Sequence, residues 1–196
     1  VPDKKKVIFD FCNVIVTKSK SGRLKTHRFF YFQGVPIFLR RNLLSVSSCV
    51  AHFKGEIISG EVNLYDGCAV FLHVLHIKHG VGVMALAHEM GHVKLNHHLS
   101  LVGDSDQYRD GRKRRTDGVE SGNVAIEELE ADAYAVLRVG QERYLKFLNW
   151  LKTNSETKLS RMKERGVSSP EALERARLGI QELQLRIDHI ITQNKE

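Results

Sequence analysis

The chain lacks a cysteine framework. Its three cysteines, Cys12, Cys49 and Cys68, are an odd number with no CxxC spacing. They sit in apolar, strand-like surroundings, where cysteine behaves as a small buried hydrophobe. A reducing compartment is the expectation. Long apolar runs are missing too. The longest, AVFLHVLHI, is interrupted by histidines and is far too short to span a bilayer, so a soluble protein without a membrane span is expected. No signal-peptide pattern precedes the first strand-like segment, since VPDKKK leads straight into it. A cytoplasmic location follows as an expectation. The first residue is Val1 and not Met, as in a trimmed or processed product. No internal repeat or low-complexity tract stands out.

What is present fits a folded domain. A length of 196 residues, 42% hydrophobic and 27% charged, allows one compact domain with a helical appendage and a real core. The net charge of +7 permits an acidic or nucleic-acid partner without requiring one. Much of it is concentrated in RDGRKRRTDG, with Arg109, Arg112, Lys113, Arg114 and Arg115. That run is a candidate docking loop for an acidic substrate or nucleic acid. It lacks the interleaved aromatics of a base-stacking surface, and a solvated loop is the plainer reading.

The first ~80 residues read as β structure. KVIFDFCNVIVTK alternates, and SKSGR is a turn. THRFFYF and VPIFLRR are strands joined tightly by QG. SSCVAHF, EIISGEVNLY and CAVFLHVLHIK follow. From Gly80 the period becomes helical. Residues 99 to 123 break the pattern, and helices resume near Val124, with Gly140 a stop or kink. The last helix, SSPEALERARLGIQELQLRIDHII, has Ser169 as N-cap and Pro170 in its first turn. Leu173, Ala176, Ile180, Leu183, Ile187 and Ile190 form an a/d seam on it. Packing back on the domain is the expected use of that seam, giving a monomer in preference to an oligomer paired through this helix. The pattern as a whole predicts an α+β fold, with an antiparallel or mixed sheet followed by helices.

The chemistry is concentrated in ALAHEMGHVKLNHH, residues 85–98. His88, Glu89 and His92 form HExxH. Four residues on a helix turn ~400°, so the two imidazoles lie one turn apart on one face and can share a metal. Glu89 lies ~100° round, where its carboxylate can hold a water next to the metal. Val81, Met84, Ala85, Gly91, Leu95 and Leu99 fall within about 60° of His88, so both histidines emerge from the apolar stripe and need partners there. His98 stands ten residues after His88, the spacing of the metzincin ligand. Ten residues of continuous helix span ~15 Å, however, and the glycine that turns a metzincin chain is replaced by Leu95. His98 reads better as a helix-end or cleft histidine.

A third ligand is expected from VAIEELEADAYAVLRVG. Glu127, Glu130, Tyr134 and Arg138 cluster on a solvated face. Glu128 and Asp132 are one turn apart within a stripe of Val124, Ala125, Ala131, Ala135, Val136 and Val139. Carboxylates in such a stripe need something positive to neutralise them. Glu128 is therefore the candidate third ligand, with Glu127 the fallback. Asp132 is the candidate acceptor for the free ring N–H of a liganding histidine. The small alanines let this helix approach the HExxH helix closely.

HEMGHVKLNHH followed by EELEADAYA resembles the minimal gluzincin zinc metallopeptidases. The similar groups are the soluble ImmA/IrrE-like peptidases, and the CAAX-protease and HtpX-like peptidases with HExGH and then ExxxD. The ExxxD pattern falls on Glu128 and Asp132. The resemblance covers roughly residues 70 to 140. It implies a zincin-like fold, with the N-terminal sheet packed on an active-site helix and a Glu-bearing helix. A metallopeptidase domain over 1–150 and a C-terminal helical extension over 151–196 are expected. One Zn2+ per chain would be held by His88, His92 and Glu128, with Glu89 as general base in hydrolysis of a protein or peptide substrate. The CAVFLHVLHIK strand would offer a sheet edge to an extended peptide, with His73 and His76 on opposite faces. Tyr108, Tyr134, His97 and His98 are candidate donors to the transition state, the wheel arguing against Tyr134. The alternative reading is a non-catalytic regulatory module that binds nucleic acid or a protein through its basic loop.

Overall fold

A computed structural model describes residues 13–18, 24–40, 49–59, 61–97, 118–166 and 169–193, with side chains described over 30–39, 68–97, 118–166 and 169–193. It is an α+β structure of two compact units, residues 1–74 and 75–196. The boundary expected at 150 falls inside an unbroken helix.

The first unit is built from β1 (Asn13–Lys18), β2 (Leu24–Phe32), β3 (Val35–Arg40), β4 (Cys49–Ser59) and β5 (Glu61–His73). They close into a barrel in the order β1-β2-β3-β5-β4. β3 and β5 run parallel, and the other pairs are antiparallel. The turn between β2 and β3 is Gln33–Gly34, with φ of 50° and 78°. Two left-handed residues give the twist that suits a two-residue hairpin. Across the parallel ladder Ile37 pairs with Val70 and Phe38 with Phe71. Ile37 and Val70 are fully buried, and the two phenylalanine rings stack at 5.2 Å.

Barrel closure overturns one expectation. The later part of β5 pairs with β4 on one side and with β3 on the other, so it offers no free edge to an extended peptide. The CAVFLHVLHIK segment is also not one strand. β5 ends at His73, and Val74–Lys78 is a short helix, α1. His73 and His76 therefore belong to different elements. His76 is buried and meets the edges of Phe147 and Trp150 at 5.9 and 5.8 Å.

The second unit continues with α2 (Gly82–Lys94), α3 (Ile126–Val139), α4 (Gln141–Arg165) and α5 (Pro170–Gln193). Gly140, φ 84°, ends α3 and turns directly into α4. Ser169 caps α5, its Oγ accepting from the Ala172 amide at 3.3 Å. The core gathers Ala85, Met90 and Val93 from α2, Ala131 and Ala135 from α3, Tyr144, Phe147 and Leu148 from α4, and Leu178, Ile187 and Ile190 from α5. Each large apolar side chain among them contributes about 1.5–3 kcal/mol over leaving it in water. Of the a/d seam on α5, Ile187 and Ile190 are buried while Leu173, Ala176, Ile180 and Leu183 are half-buried, and the buried side of the helix also carries Leu178, Glu182 and Arg186. Among the described residues no helix is long and apolar enough to cross a membrane.

Candidate metal centre

α2 and α3 come together at their smallest residues. A Cβ on Gly91 would lie 2.9 Å from the Ala131 Cα, so the two backbones nearly touch there. That approach sets the reach of everything around it. His88 and His92 project from α2 one turn apart, and Glu128, one turn before Asp132, projects from α3 towards them. His88 Nε2 lies 3.2 Å from His92 Nε2 and 3.3 Å from Glu128 Oε2, and His92 Nε2 lies 3.8 Å from Glu128 Oε1. A tetrahedral ion with ~2.1 Å bonds needs donors ~3.4 Å apart. These three side chains form a group that could hold a metal ion. Glu127, the fallback, is exposed and stands outside it. Glu89 is buried on the same helix.

Behind His88 lies a buried charge cluster. Its Nδ1 is 2.9 Å from Asp132 Oδ1, the acceptor expected from sequence. Two further groups meet there that the sequence did not announce. Tyr144, fully buried on α4, donates its hydroxyl to Asp132 Oδ1 at 2.5 Å and lies 3.0 Å from His88 Nδ1. Arg186, buried on α5, grips Asp132 through Nε at 2.7 Å and Nη2 at 2.5 Å, and its Nη1 reaches Glu128 Oε2 at 3.0 Å. A forked guanidinium on a carboxylate is the geometry that best repays burying both charges.

The cluster sets the protonation states. Burial would raise the Asp132 carboxyl, but Arg186 and the His88 hydrogen bond hold it well below the usual range. Burial raises the Tyr144 hydroxyl and keeps it a donor. Burial and the Arg186 charge both oppose a proton on His88, yet the carboxylates of Asp132 and Glu128 outweigh them and bring it up to about 9 in the metal-free protein. His92 goes the other way, to about 4, through burial and the neighbouring His88.

Behind His92 the arrangement differs. α2 ends at Lys94, the Leu95 amide closes on Gly91 O at 3.0 Å, and Asn96 turns left-handed at φ 61°. That turn folds His97 back, so that its Nδ1 meets His92 Nδ1 at 3.0 Å and its Nε2 meets Glu130 Oε2 at 3.0 Å. His97 is one of the candidate transition-state donors named from the sequence. It stands instead on the side of His92 away from the ligand atoms, with both ring nitrogens engaged. Tyr134 is half-buried under Arg138, whose guanidinium carbon is 5.1 Å from the ring centre. Tyr108, His98 and the basic residues Arg109, Arg112, Lys113, Arg114 and Arg115 lie outside the described residues.

Arg186 and Tyr144 could have been sought, though not found, from sequence. Two carboxylates on an apolar stripe demand positive charge, and a histidine shell with a metal already met that demand on paper. Nothing in the pattern singled out one arginine of α5. No protein-family model matches the chain, and neither does a curated protein or a solved structure.

Proposed function

We propose that the chain is a zinc-dependent endopeptidase of zincin type, acting on a protein or peptide substrate through His88, His92, Glu128 and Glu89. The observation that carries this reading is the convergence of two imidazole nitrogens and one carboxylate, from two helices, at the separations a tetrahedral ion requires. Two imidazoles and a carboxylate suit zinc. Three protein ligands leave a fourth position open, as in catalytic and not structural sites. Bound zinc would supply Lewis acidity and a water acidified to near neutrality.

The chain's own groups supply the rest. Glu89, one residue on from His88, is the group to take the proton from the attacking water and return it to the leaving amine. Asp132 fixes the His88 ring with Nδ1 protonated, so that Nε2 presents its lone pair. Arg186 offsets one of the two carboxylates. With Glu89 counted, a divalent ion would bring the centre to neutrality, and its charge beside the substrate would favour negative charge growing on a carbonyl oxygen.

The test is a set of variants assayed for zinc content and peptide cleavage. Wild type should hold about one zinc per chain. His88→Ala and Glu128→Ala should lose it. Glu89→Gln should keep the metal and lose cleavage by a factor of at least ~100. Normal cleavage by Glu89→Gln sinks the mechanism. Zinc bound by wild type with no cleavage of any peptide in a proteome-derived library would move the reading to a regulatory module that has kept the metal.

A further inference from the structure

With His97 neutral, the hydrogen bonds around the second histidine admit one consistent set of protons, and this bears on how the metal reading works. His92 can offer Nε2 to an ion only when its proton sits on Nδ1. That proton needs an acceptor, and His97 Nδ1 is placed to be one at 3.0 Å. His97 must then carry its own proton on Nε2, which faces Glu130 Oε2 at 3.0 Å. A carboxylate accepts that bond and can donate none. The opposite assignment would put His97 Nδ1–H onto His92 and leave a bare Nε2 facing the carboxylate, lone pair against lone pair. Glu130 therefore chooses between the two. Its carboxylate is half exposed while the His97 ring is largely covered, so the choice is imposed from the surface inward.

We propose that Glu130 and His97 are positioning residues for the metal centre, a carboxylate–imidazole relay that sets the tautomer of His92 and aims its Nε2 at the ion. The inference rests on the metal reading above and deepens it. The relay depends on the left-handed turn at Asn96, which brings residue 97 back against residue 92. It is the counterpart, built from two side chains in series, of the single carboxylate that serves His88. Partners of this kind behind a ligand are worth about ten- to a hundredfold in metal affinity.

Glu130→Gln is the decisive variant. The amide is the same shape, but it can accept through its oxygen or donate through its NH2, so the substitution removes the preference that the carboxylate imposes. His92 would then carry its proton on Nε2 in part of the population and be closed to metal in that part. Two measurements are needed on the full chain. Nitrogen-15 NMR of the ring nitrogens in metal-free protein at pH 7.5 should show His92 protonated at Nδ1 in wild type and a mixture of the Nδ1 and Nε2 tautomers in Glu130→Gln. Chelator competition with Zn2+ alone should show affinity about ten- to a hundredfold weaker in Glu130→Gln. The control Glu127→Gln, on an exposed neighbour, should match wild type in both. His97→Ala should weaken zinc by a similar factor without reversing the tautomer. An unchanged His92 tautomer with unchanged zinc affinity in Glu130→Gln overturns the relay while leaving the metal centre standing. Failure of wild type to bind zinc overturns the metal reading instead, and the NMR comparison still decides the relay.

Discussion

His88 and His92 are four residues apart on one helix, face the same carboxylate, and are held in unlike ways. His88 backs onto a sealed cluster of charges contributed by α3, α4 and α5, where Asp132, Tyr144 and Arg186 saturate one another. His92 backs onto a two-step path that reaches solvent at Glu130. The first arrangement ties the ligand to the stability of the helical unit. The second ties it to a residue that the fold can spare. A metal site built this way has one anchored ligand and one adjustable ligand.

The largest break in this comparison should come from Arg186→Met. It leaves Asp132 and Glu128 in the interior without the guanidinium, with His88 their remaining positive neighbour, and removing one partner of a buried pair costs about 3–5 kcal/mol. Urea unfolding of metal-free protein measures it, and saturating zinc should recover part of the loss by supplying positive charge in its place. Glu130→Gln, on the other side, should change unfolding by only about 0.5 kcal/mol. Equal losses at the two positions would erase the distinction.

The pH dependence of the same metal-free protein sharpens it. His88 is raised to about 9 from an ordinary value of 6.5, so it stabilises the fold fully below 6.5 and loses that contribution as pH rises through 9. His92 is lowered to about 4, so below 6.5 the unfolded chain takes a proton that the folded chain refuses, and stability falls as pH drops towards 4. Stability should therefore peak near pH 6.5, with each limb worth a few kcal/mol. His88→Gln should flatten the alkaline limb and, by removing the charge that helps hold His92 down, shrink the acid limb as well. A curve flat between pH 5 and 9 would count against both assignments.

Gly91→Ala should affect the two sides together, because its new Cβ would meet the Ala131 backbone at 2.9 Å. Forcing α2 and α3 apart costs about 1–3 kcal/mol. It should also weaken zinc, since Glu128 recedes from both rings at once. Calorimetry with and without zinc reads the two effects. Tyr144→Phe should cost less than Gly91→Ala or Arg186→Met, about 1 kcal/mol, because Arg186 and His88 continue to satisfy Asp132. A larger loss would mean that the tyrosine hydroxyl, and not the guanidinium, orders the cluster.

The parts of this arrangement legible in sequence were those encoded by helical period. HExxH put two imidazoles on one face. The stripe around Ala131 and Ala135 separated Glu128 and Asp132 from Glu127 and Glu130, and the spatial grouping follows that division. Partners chosen by tertiary packing were not legible. Arg186 is 54 residues from Asp132, and its position beside an apolar seam looked like any helix-surface charge. His97 drew notice for its identity but was given another role, because a left-handed Asn96 cannot be read from the residue type alone. The strands were legible as strands. Closure was not, since it depends on a parallel pairing of β3 with β5 that no local pattern specifies. The apolar VLHIK read as the end of a strand because short apolar runs do not distinguish strand from helix.

Arg186 also has a place in time. The ribosome delivers both histidines and both acids of the centre before the helix that carries the guanidinium. Until that helix arrives, the growing chain holds Glu128 and Asp132 with His88 beside them but without the guanidinium. The guanidinium is the last member of the cluster to be made, and Asp132 and Glu128 gain its charge only once α5 has packed against α3.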